Sequence, residues 1–423
     1  MLINGKRSLA HIEKVTNIRS IEGADNIEQV YVLGWNIIVK KGEFKEGDKC
    51  VYIEIDSRVP DTDPRFEFLS KKGYKIKTMK LGKFGVISQG IIFPISDFPE
   101  IEKYNVGDDV TDILKISKIE TEEEKRLKAE ANKQSGSAFV RARMKHKKLF
   151  SSKFIKYLCK YRFWRNLLGK LFGGKTTKPK QFPDWIVKTD EERIENIPQM
   201  LSYKEPLIAT EKIDGTSTTF AIKFTNKSKT KHEVFICSRN VRMETDTQSC
   251  YFDSNVYWDM WNILKIEDKM VEYAKKNDYD YFIIQGETWG AKLQGNPYKS
   301  EKINFNAYNM IYGYFEDSAV FKTVITNPEL LKLGKRVGPS VQFKVNSVSA
   351  AKIAKEEFGI DWVPILDTNF ILPDSMEEMK KLATGNSVVN TNVLREGIVY
   401  RSETDPSISF KNVSREYLLK HNQ

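Results

Sequence analysis

The 423-residue sequence predicts an α+β protein in which a small β-barrel is followed by a larger mixed α/β unit. Three observations predict it. Residues 1–117 break into short runs of alternating β-branched and aromatic residues between Gly, Asp and Pro, the pattern of a small barrel. Residues 181–423 mix strand-like runs with segments of helical period. Between them, residues 118–180 read as a charged helical linker and a basic segment. A chain of this length exceeds one small core, so two or three domains are expected.

The barrel elements are NIEQVYVLGWNIIVKKG, KCVYIEIDSRVP, GYKIKTMKLGKFGVISQGIIFPIS and VGDDVTDILKI. Gly-Asp precedes a strand in both EGDKCVYI and VGDDVT. KLGKFGVISQG is basic and glycine-rich, either a loop that follows a nucleic-acid backbone or a solvated hairpin. SKIETEEEKRLKAEANKQSGSAF then reads as a charged helix ending in Ser-Gly-Ser. In residues 141–180, Phe154, Leu158, Tyr161, Leu168 and Leu171 recur at helical spacing with cations between them, and Gly173, Gly174 and Pro179 end the segment. It suits an RNA-backbone clamp, a membrane-surface helix or a basic helix packed on the protein. In the C-terminal unit, helices are expected at DMWNILKIEDKMVEYAKKN, SAAKIAKEEFG and SMEEMKKLA. Strands are expected at TSTTFAIKFTN, HEVFICS, YFIIQGE, YNMIYGYFE and EGIVYRS.

Composition narrows the class. The net charge is +11, yet residues 141–180 hold fourteen Lys or Arg and no Asp or Glu, leaving 54 basic against 57 acidic residues elsewhere. A basic block of this kind points to an acidic partner, nucleic acid first. Four cysteines with no C-x-x-C pair disfavour a zinc or disulfide scaffold. Four scattered histidines disfavour a histidine base. No apolar run suits a signal core or a spanning helix, so the cytoplasm is expected and no membrane partner.

The chemistry is concentrated in ATEKIDGTSTTFAI, which holds K-x-D-G at Lys212, Asp214 and Gly215. Alone this suits an ordinary Asp-Gly turn. Its ordered company sets it apart: ICSRN with Ser238, Arg239 and Asn240, FIIQGETWG with Gly286 and Glu287, YNMIYGYFED, REGIVYR with Glu396 and Gly397, and ISFKNVS with Lys411. In order and residue type these resemble motifs I, Ia, III, IIIa, IV and V of the covalent nucleotidyltransferase superfamily of RNA ligases, DNA ligases and capping enzymes. The resemblance spans about residues 181–423. DNA ligases and capping enzymes carry an OB barrel after motif V, whereas here twelve residues follow Lys411 and a barrel precedes the motifs. With FPDWIVKTDEERIENIP upstream of motif I, that order resembles the RNA ligase family with an N-terminal OB domain. The implied fold is an OB-type barrel followed by a nucleotidyltransferase (adenylation) domain.

The resemblance implies ATP as AMP donor, Mg2+ or Mn2+, and a ligase joining a 3′-OH RNA end to a 5′-phosphate, at nicks in duplex RNA or an RNA–DNA hybrid. Lys212 would attack the α-phosphorus, which requires a neutral amine. Lys411, Arg239 and a metal are expected to depress its pKa and to stabilise the α-phosphate. Asp214, Glu287 and Glu396 are the candidate metal carboxylates, with Glu287 alternatively on the ribose. By motif position Ile311 and Val399 sandwich the adenine. Tyr312 is the rival for the first face, and both strands also need core residues. Glu211 could read the adenine amino group through its backbone or side chain. Arg239 is implied on ribose or the RNA 5′-phosphate. Arg193 is either a phosphate or 5′-end ligand or a helix-surface arginine. Motif V commonly reads K-x-K. Ser409 occupies its first position here, with Arg401 or Lys420 as candidates to compensate. The rival functions are a DNA ligase, a capping-type enzyme, and a non-catalytic RNA-binding protein with a degenerate ligase domain.

Overall fold

A computed structural model of the protein describes residues 2–3, 6–120, 125, 139, 142–143, 146–159, 161–172, 181–246, 252, 254–293 and 295–421. Its first sheet contains β1 (Ala10–Ser20), β2 (Ile27–Val32), β3 (Trp35–Lys40), β4 (Lys49–Ile53) and β5 (Ile91–Pro94), in the antiparallel order β5-β4-β1-β2-β3. The first half of β1 pairs with β4 and the second half with β2. The register shifts between Val15 and Asn17, so one long strand bends across the barrel. Closure comes from the run ahead of β5, where Gln89 N–H donates to Asn36 O at 2.8 Å and Ile38 N–H to Ser88 Oγ at 3.1 Å.

Two barrel expectations change. VGDDVTDILKI is not a strand. Thr111 Oγ1 instead accepts the amides of Leu9 (2.8 Å) and Ala10 (3.0 Å), while Val110, Leu114 and Ile116 drop into the core. Residues 117–118 pair with Ser57–Arg58, and Ile119 N–H donates to Asp56 O, so barrel pairing runs past position 117. The segment KLGKFGVISQG forms a hairpin of Met79–Leu81 with Val86–Ser88.

The charged helix expected over 118–140 lies almost wholly outside the described residues, as do Gly173, Gly174 and Pro179. Helix α1 (Arg162–Phe172) follows two shorter helices. The buried face is not the expected stripe. Phe150 and Leu168 are buried with Phe139, Ile155 and Phe172 around them, whereas Phe154, Tyr161 and Leu171 are exposed. Residues 150 and 168 come from different helices, and a stripe read along one helix cannot show a cluster built by three. Among the described residues no helix is long and apolar enough to cross a membrane.

The C-terminal unit has two sheets. One runs β6 (Glu192–Arg193), β7 (Leu207–Lys212), β14 (Ile365–Phe370), β15 (Gly397–Arg401) and β16 (Ser409–Val413) in the spatial order β6-β16-β15-β7-β14. The other holds β8 (Thr216–Phe224), β9 (His232–Cys237), β10 (Tyr281–Gly290), β11 (Ile303–Phe315), β12 (Gly334–Val337) and β13 (Ser340–Lys344), ordered β9-β8-β10-β11-β13-β12. Helices α2 (Val256–Leu264) and α3 (Glu267–Lys276) cover its outer face. Their Met260, Trp261 and Met270 pack on Phe220, Phe282 and Met310, each large side chain contributing about 1.5–3 kcal/mol on burial. The single helix expected over DMWNILKIEDKMVEYAKKN is split here because Lys265 adopts φ 51°, capping α2 on Trp261 O. The other two expected helices form α4 (Ser347–Ile353), which runs on as a wider turn to Gly359, and α5 (Met376–Ala383), whose N-terminus is capped by Ser375.

Barrel and C-terminal unit share a seam. Val413 and Leu418, from β16 and α6 (Arg415–His421), belong to the same apolar cluster as Val30, Trp35 and Tyr52. Buried Trp35 donates from Nε1 to Asn196 Oδ1 at 2.6 Å, and Asn196 donates on to Glu54 at 2.9 Å. The barrel is thereby seated beside the strands that carry the site.

Candidate active site

The two C-terminal sheets face each other across a cavity of about 370 Å³. On the first sheet, Lys212 is the cross-strand partner of Gly397, Val399 pairs with both Thr210 and Lys411, and Arg401 pairs with Ser409. Side chains alternate along a strand, so Thr210, Lys212, Val399, Arg401 and Lys411 share the inward face. The opposite wall supplies Ser217, Glu287 and Tyr308, and the barrel supplies Lys118. Gly215 allows the sheets to meet at the Lys212 end, because a Cβ there would lie 2.3 Å from Thr288 O. The K-x-D-G glycine therefore serves close approach, with no left-handed turn.

One end of the cavity is acidic. Lys212 Nζ donates to Glu396 Oε2 at 2.7 Å, with Glu287 and Asp214 beside it. Burial alone would push the ammonium down. Glu396, Glu287 and Asp214 outweigh it, and the Lys212 pKa ends above its ordinary value. This corrects the expectation that neighbouring cations depress Lys212, since carboxylates are its dominant neighbours. Three carboxylates share one ammonium, and burial with their mutual repulsion raises both Glu396 and Glu287. Burial, Glu396 and Asp214 push Glu287 up to about 8 against the pull of Lys212. Asp214 is fixed by partners the motif does not reveal: Tyr417 Oη donates to its Oδ2 at 2.7 Å, and its own N–H donates to Tyr298 Oη at 2.8 Å.

The other end is basic. Lys411 is pushed down to about 8 by burial and by Arg193. Asp190 offsets the cluster, accepting from Arg239 Nη2 at 2.8 Å and lying 3.8 Å from Lys411 Nζ. Arg401 donates to Glu191 at 3.0 Å. Arg193 sits behind Lys411, its parallel-strand neighbour, and pairs with Asp56 of the barrel at 3.3 Å. It lies on a strand at the domain seam, outside the main cavity and off any helix surface.

Two further expectations change. The carboxylate of Glu211 is taken up by Ser387 Oγ and, at 2.7 Å, by the Val388 N–H, so of the two expected routes to the adenine its side chain is engaged elsewhere, while the residue still lines the cavity through its backbone. Ile311 faces inward but lies further along β11, covered by Trp185 in a cluster with Tyr281 and Ile283. The rings that line the cavity instead are Tyr308 and Phe252. Pairing steps from Gln285–Asn309 to Gly286–Ala307, so Tyr308 is the extra residue of a bulge that changes the strand's parity. Its hydroxyl meets Ser217 and Thr189, each at 3.0 Å. Tyr312 faces the opposite way, stacked on Tyr279 at 4.2 Å. Val399 holds the place expected of it in the cavity wall.

Among the described residues, no group of three His, Cys, Asp or Glu side chains is close enough to hold a metal ion alone. Asp214, Glu287 and Glu396 therefore form no closed chelate. An all-oxygen set with surplus negative charge does fit a hard cation that takes its remaining ligands from phosphates and water. Asp190, Tyr298, Tyr308, Tyr417 and Lys118 were absent from the sequence-derived set. Asp190 lies inside the run FPDWIVKTDEERIENIP, Tyr308 opens YNMIYGYFED and Lys118 stands in SKIETEEEK, but nothing in those segments singles the three residues out.

Comparison with known proteins identifies the family. Residues 205–419 match the RNA ligase family model, and residues 9–95 match a model described as an OB-fold domain. Naegleria gruberi RNA ligase is similar over nearly the whole length. A point mutant of it with ATP and Mn is 28% identical with a TM-score of 0.68, over 98% of this chain and 99% of that one. The same enzyme with PPi gives 28% identity and a TM-score of 0.66, over 99% of each chain. No curated protein matches the sequence. With an OB-fold domain set before the catalytic sheets and Lys212 at the heart of their shared cavity, the chain belongs to the RNA ligase family.

Proposed function

We propose that this ligase takes AMP from ATP onto Lys212 and uses it to join a 3′-OH RNA end to a 5′-phosphate. Its substrates are nicks in duplex RNA or RNA–DNA hybrids, and its role is RNA repair in the cytoplasm. The observation that carries the proposal is Lys212 Nζ inside a nucleotide-sized cavity, with a carboxylate 2.7 Å away on one side and buried cations on the other. The Naegleria enzyme, solved as a mutant with ATP and Mn and separately with PPi, supports the choice of nucleotide and metal.

In the first step the Lys212 proton passes to Glu396, its hydrogen-bond partner. The freed amine attacks the α-phosphorus, a P–N bond forms, and the P–O bond to pyrophosphate breaks. An RNA 5′-phosphate oxygen then attacks the same phosphorus and releases Lys212. Last, the RNA 3′-OH attacks the 5′-phosphate and AMP leaves. Lys411 and Arg239 lie where negative charge grows on phosphate oxygens. Val399 and Tyr308 supply the flat walls for the base. Asp214, Glu287 and Glu396 would hold Mg2+ or Mn2+ with the phosphates, and the ion would draw carboxylate charge away from Lys212.

Incubation with ATP labelled at the α-phosphate and a divalent metal is expected to label the wild-type protein covalently and to leave Lys212→Ala unlabelled. Absence of label on wild type, or equal label on both, would reject the lysyl-AMP step. Nicked duplexes with RNA or DNA 3′-OH ends then test the product, and sealing confined to DNA ends rejects the RNA assignment.

A further inference from the structure

Ser409, at the first motif V position, carries no cation and lies just beyond the active-site cavity in an adjoining one that Arg401 also lines, and the strand pairing shows how the two positions are related. Arg401, the last residue of β15, is the direct cross-strand partner of Ser409, the first of β16. Partners across an antiparallel pair project to the same face. That face also carries the Val399–Lys411 pair, and Arg401 lines the cavity with both. A side chain from position 401 therefore reaches the space that a longer residue at 409 would fill.

The guanidinium has spare capacity. Arg401 is 8% exposed, and Nη2 donates to Glu191 at 3.0 Å. Nε and Nη1 are buried without a hydrogen-bond partner. The Tyr308 ring, 6.0 Å from the guanidinium carbon, offers no acceptor. Buried donors of a charged group are normally satisfied. An arginine fork with its Nε edge unpartnered suits two oxygens of a phosphate. The neighbouring cations Arg239 and Lys411 share Asp190 as a counter-charge, which leaves part of the phosphate charge for Arg401. Lys420, the other candidate to compensate, does not line the cavity.

We propose that Arg401 grips a phosphate of the bound nucleoside triphosphate, replacing by cross-strand pairing the lysine that position 409 lacks. Glu191 holds the guanidinium in place from one side and leaves the Nε edge for the nucleotide. The proposal rests on the lysyl-AMP reading for its step, though its binding prediction stands apart from it.

The test compares wild type, Arg401→Ala, and Arg401→Ala combined with Ser409→Lys. Lysyl-AMP formation should fall on the order of 10²-fold in Arg401→Ala and recover substantially when Ser409→Lys is added. In the unreactive Lys212→Ala background, Arg401→Ala should weaken binding of ATP and pyrophosphate while adenosine affinity stays put. Unchanged labelling in Arg401→Ala overturns the proposal. So does adenosine affinity falling in step with ATP, the outcome of a purely structural Arg401–Glu191 pair. Normal labelling with loss of sealing also overturns it, because the cation would then serve the RNA 5′-phosphate. Should wild type take no label, the lysyl-AMP reading fails, while the ATP, pyrophosphate and adenosine titrations still decide Arg401.

Discussion

Lys212 and Lys411 enter the same cavity from strands separated only by β15, yet their surroundings push them in opposite directions. Lys212 is raised by Glu396, Glu287 and Asp214. Lys411 is lowered to about 8 by burial and by Arg193. The difference shows how one pocket divides two tasks. At the acidic end a proton must leave a lysine and a cation must be held. At the basic end phosphate charge must be received. Asp214 apart, each lysine is tuned by residues far away in sequence, so neither environment follows from its own motif alone.

The largest expected effect comes from breaking the acidic end. Glu396→Gln turns the charged 2.7 Å acceptor of Lys212 into a neutral amide and removes one carboxylate of the cluster. Loss of that charge alone would lower the lysine's pKa and make a better nucleophile. Loss of cation binding and of the proton acceptor works the other way, and we expect it to win. AMP transfer should fall on the order of 10²-fold, with a higher metal concentration needed for half-maximal rate. A rate equal to or above wild type would show that Glu396 merely masks Lys212.

This division explains what the sequence could show. Lys212, Asp214, Glu287, Glu396, Val399 and Lys411 sit on regular strands or their ends, where order and alternation place them. Tyr308 was hidden because a bulge shifts the parity of β11. Ile311 was mistaken for a cavity residue because nothing local reveals that Trp185 folds over it. Tyr298 and Tyr417 reach Asp214 from 84 and 203 residues away, a distance no motif spans. The sign of the Lys212 shift was missed for a related reason: the sequence supplies charges, and only the fold supplies their distances. The barrel was legible through its turns and alternation, except at VGDDVT, where pairing with β1 is confined to a short bridge at His11–Asp109 and the Thr111 side chain takes the next two amides.

A smaller effect should mark the basic end. Lys411 loses its proton above about 8, against an ordinary value of 10.5. Across that window the unfolded chain holds a proton that the folded chain has released, so this residue makes folding more stable as pH rises. Phosphate binding has the opposite dependence, because the cation disappears. The kcat/KM for AMP transfer, which reports the free enzyme, should bend over near pH 8. Lys411→Arg keeps its charge, so its profile should continue to rise with deprotonation of Lys212. A bend at the same pH in both proteins would assign it to another group.

The smallest expected effect concerns how the acidic end is held still. Tyr417 is fully buried on α6, stacks on His421 at 4.2 Å and donates to Asp214 Oδ2 at 2.7 Å. Tyr417→Phe keeps the ring and removes only that bond. A hydrogen bond to a charged group contributes about 1.5–3 kcal/mol, so a melting temperature lower by a few degrees is expected. Asp214 would also lose its fixed orientation beside Lys212. We expect lysyl-AMP formation to drop about tenfold, equivalent to about 1.4 kcal/mol of barrier, with ATP affinity little changed. If stability falls and AMP transfer does not, Tyr417 braces α6 alone. The acidic end is then oriented by Tyr298 and the strand pairing of Lys212 with Gly397.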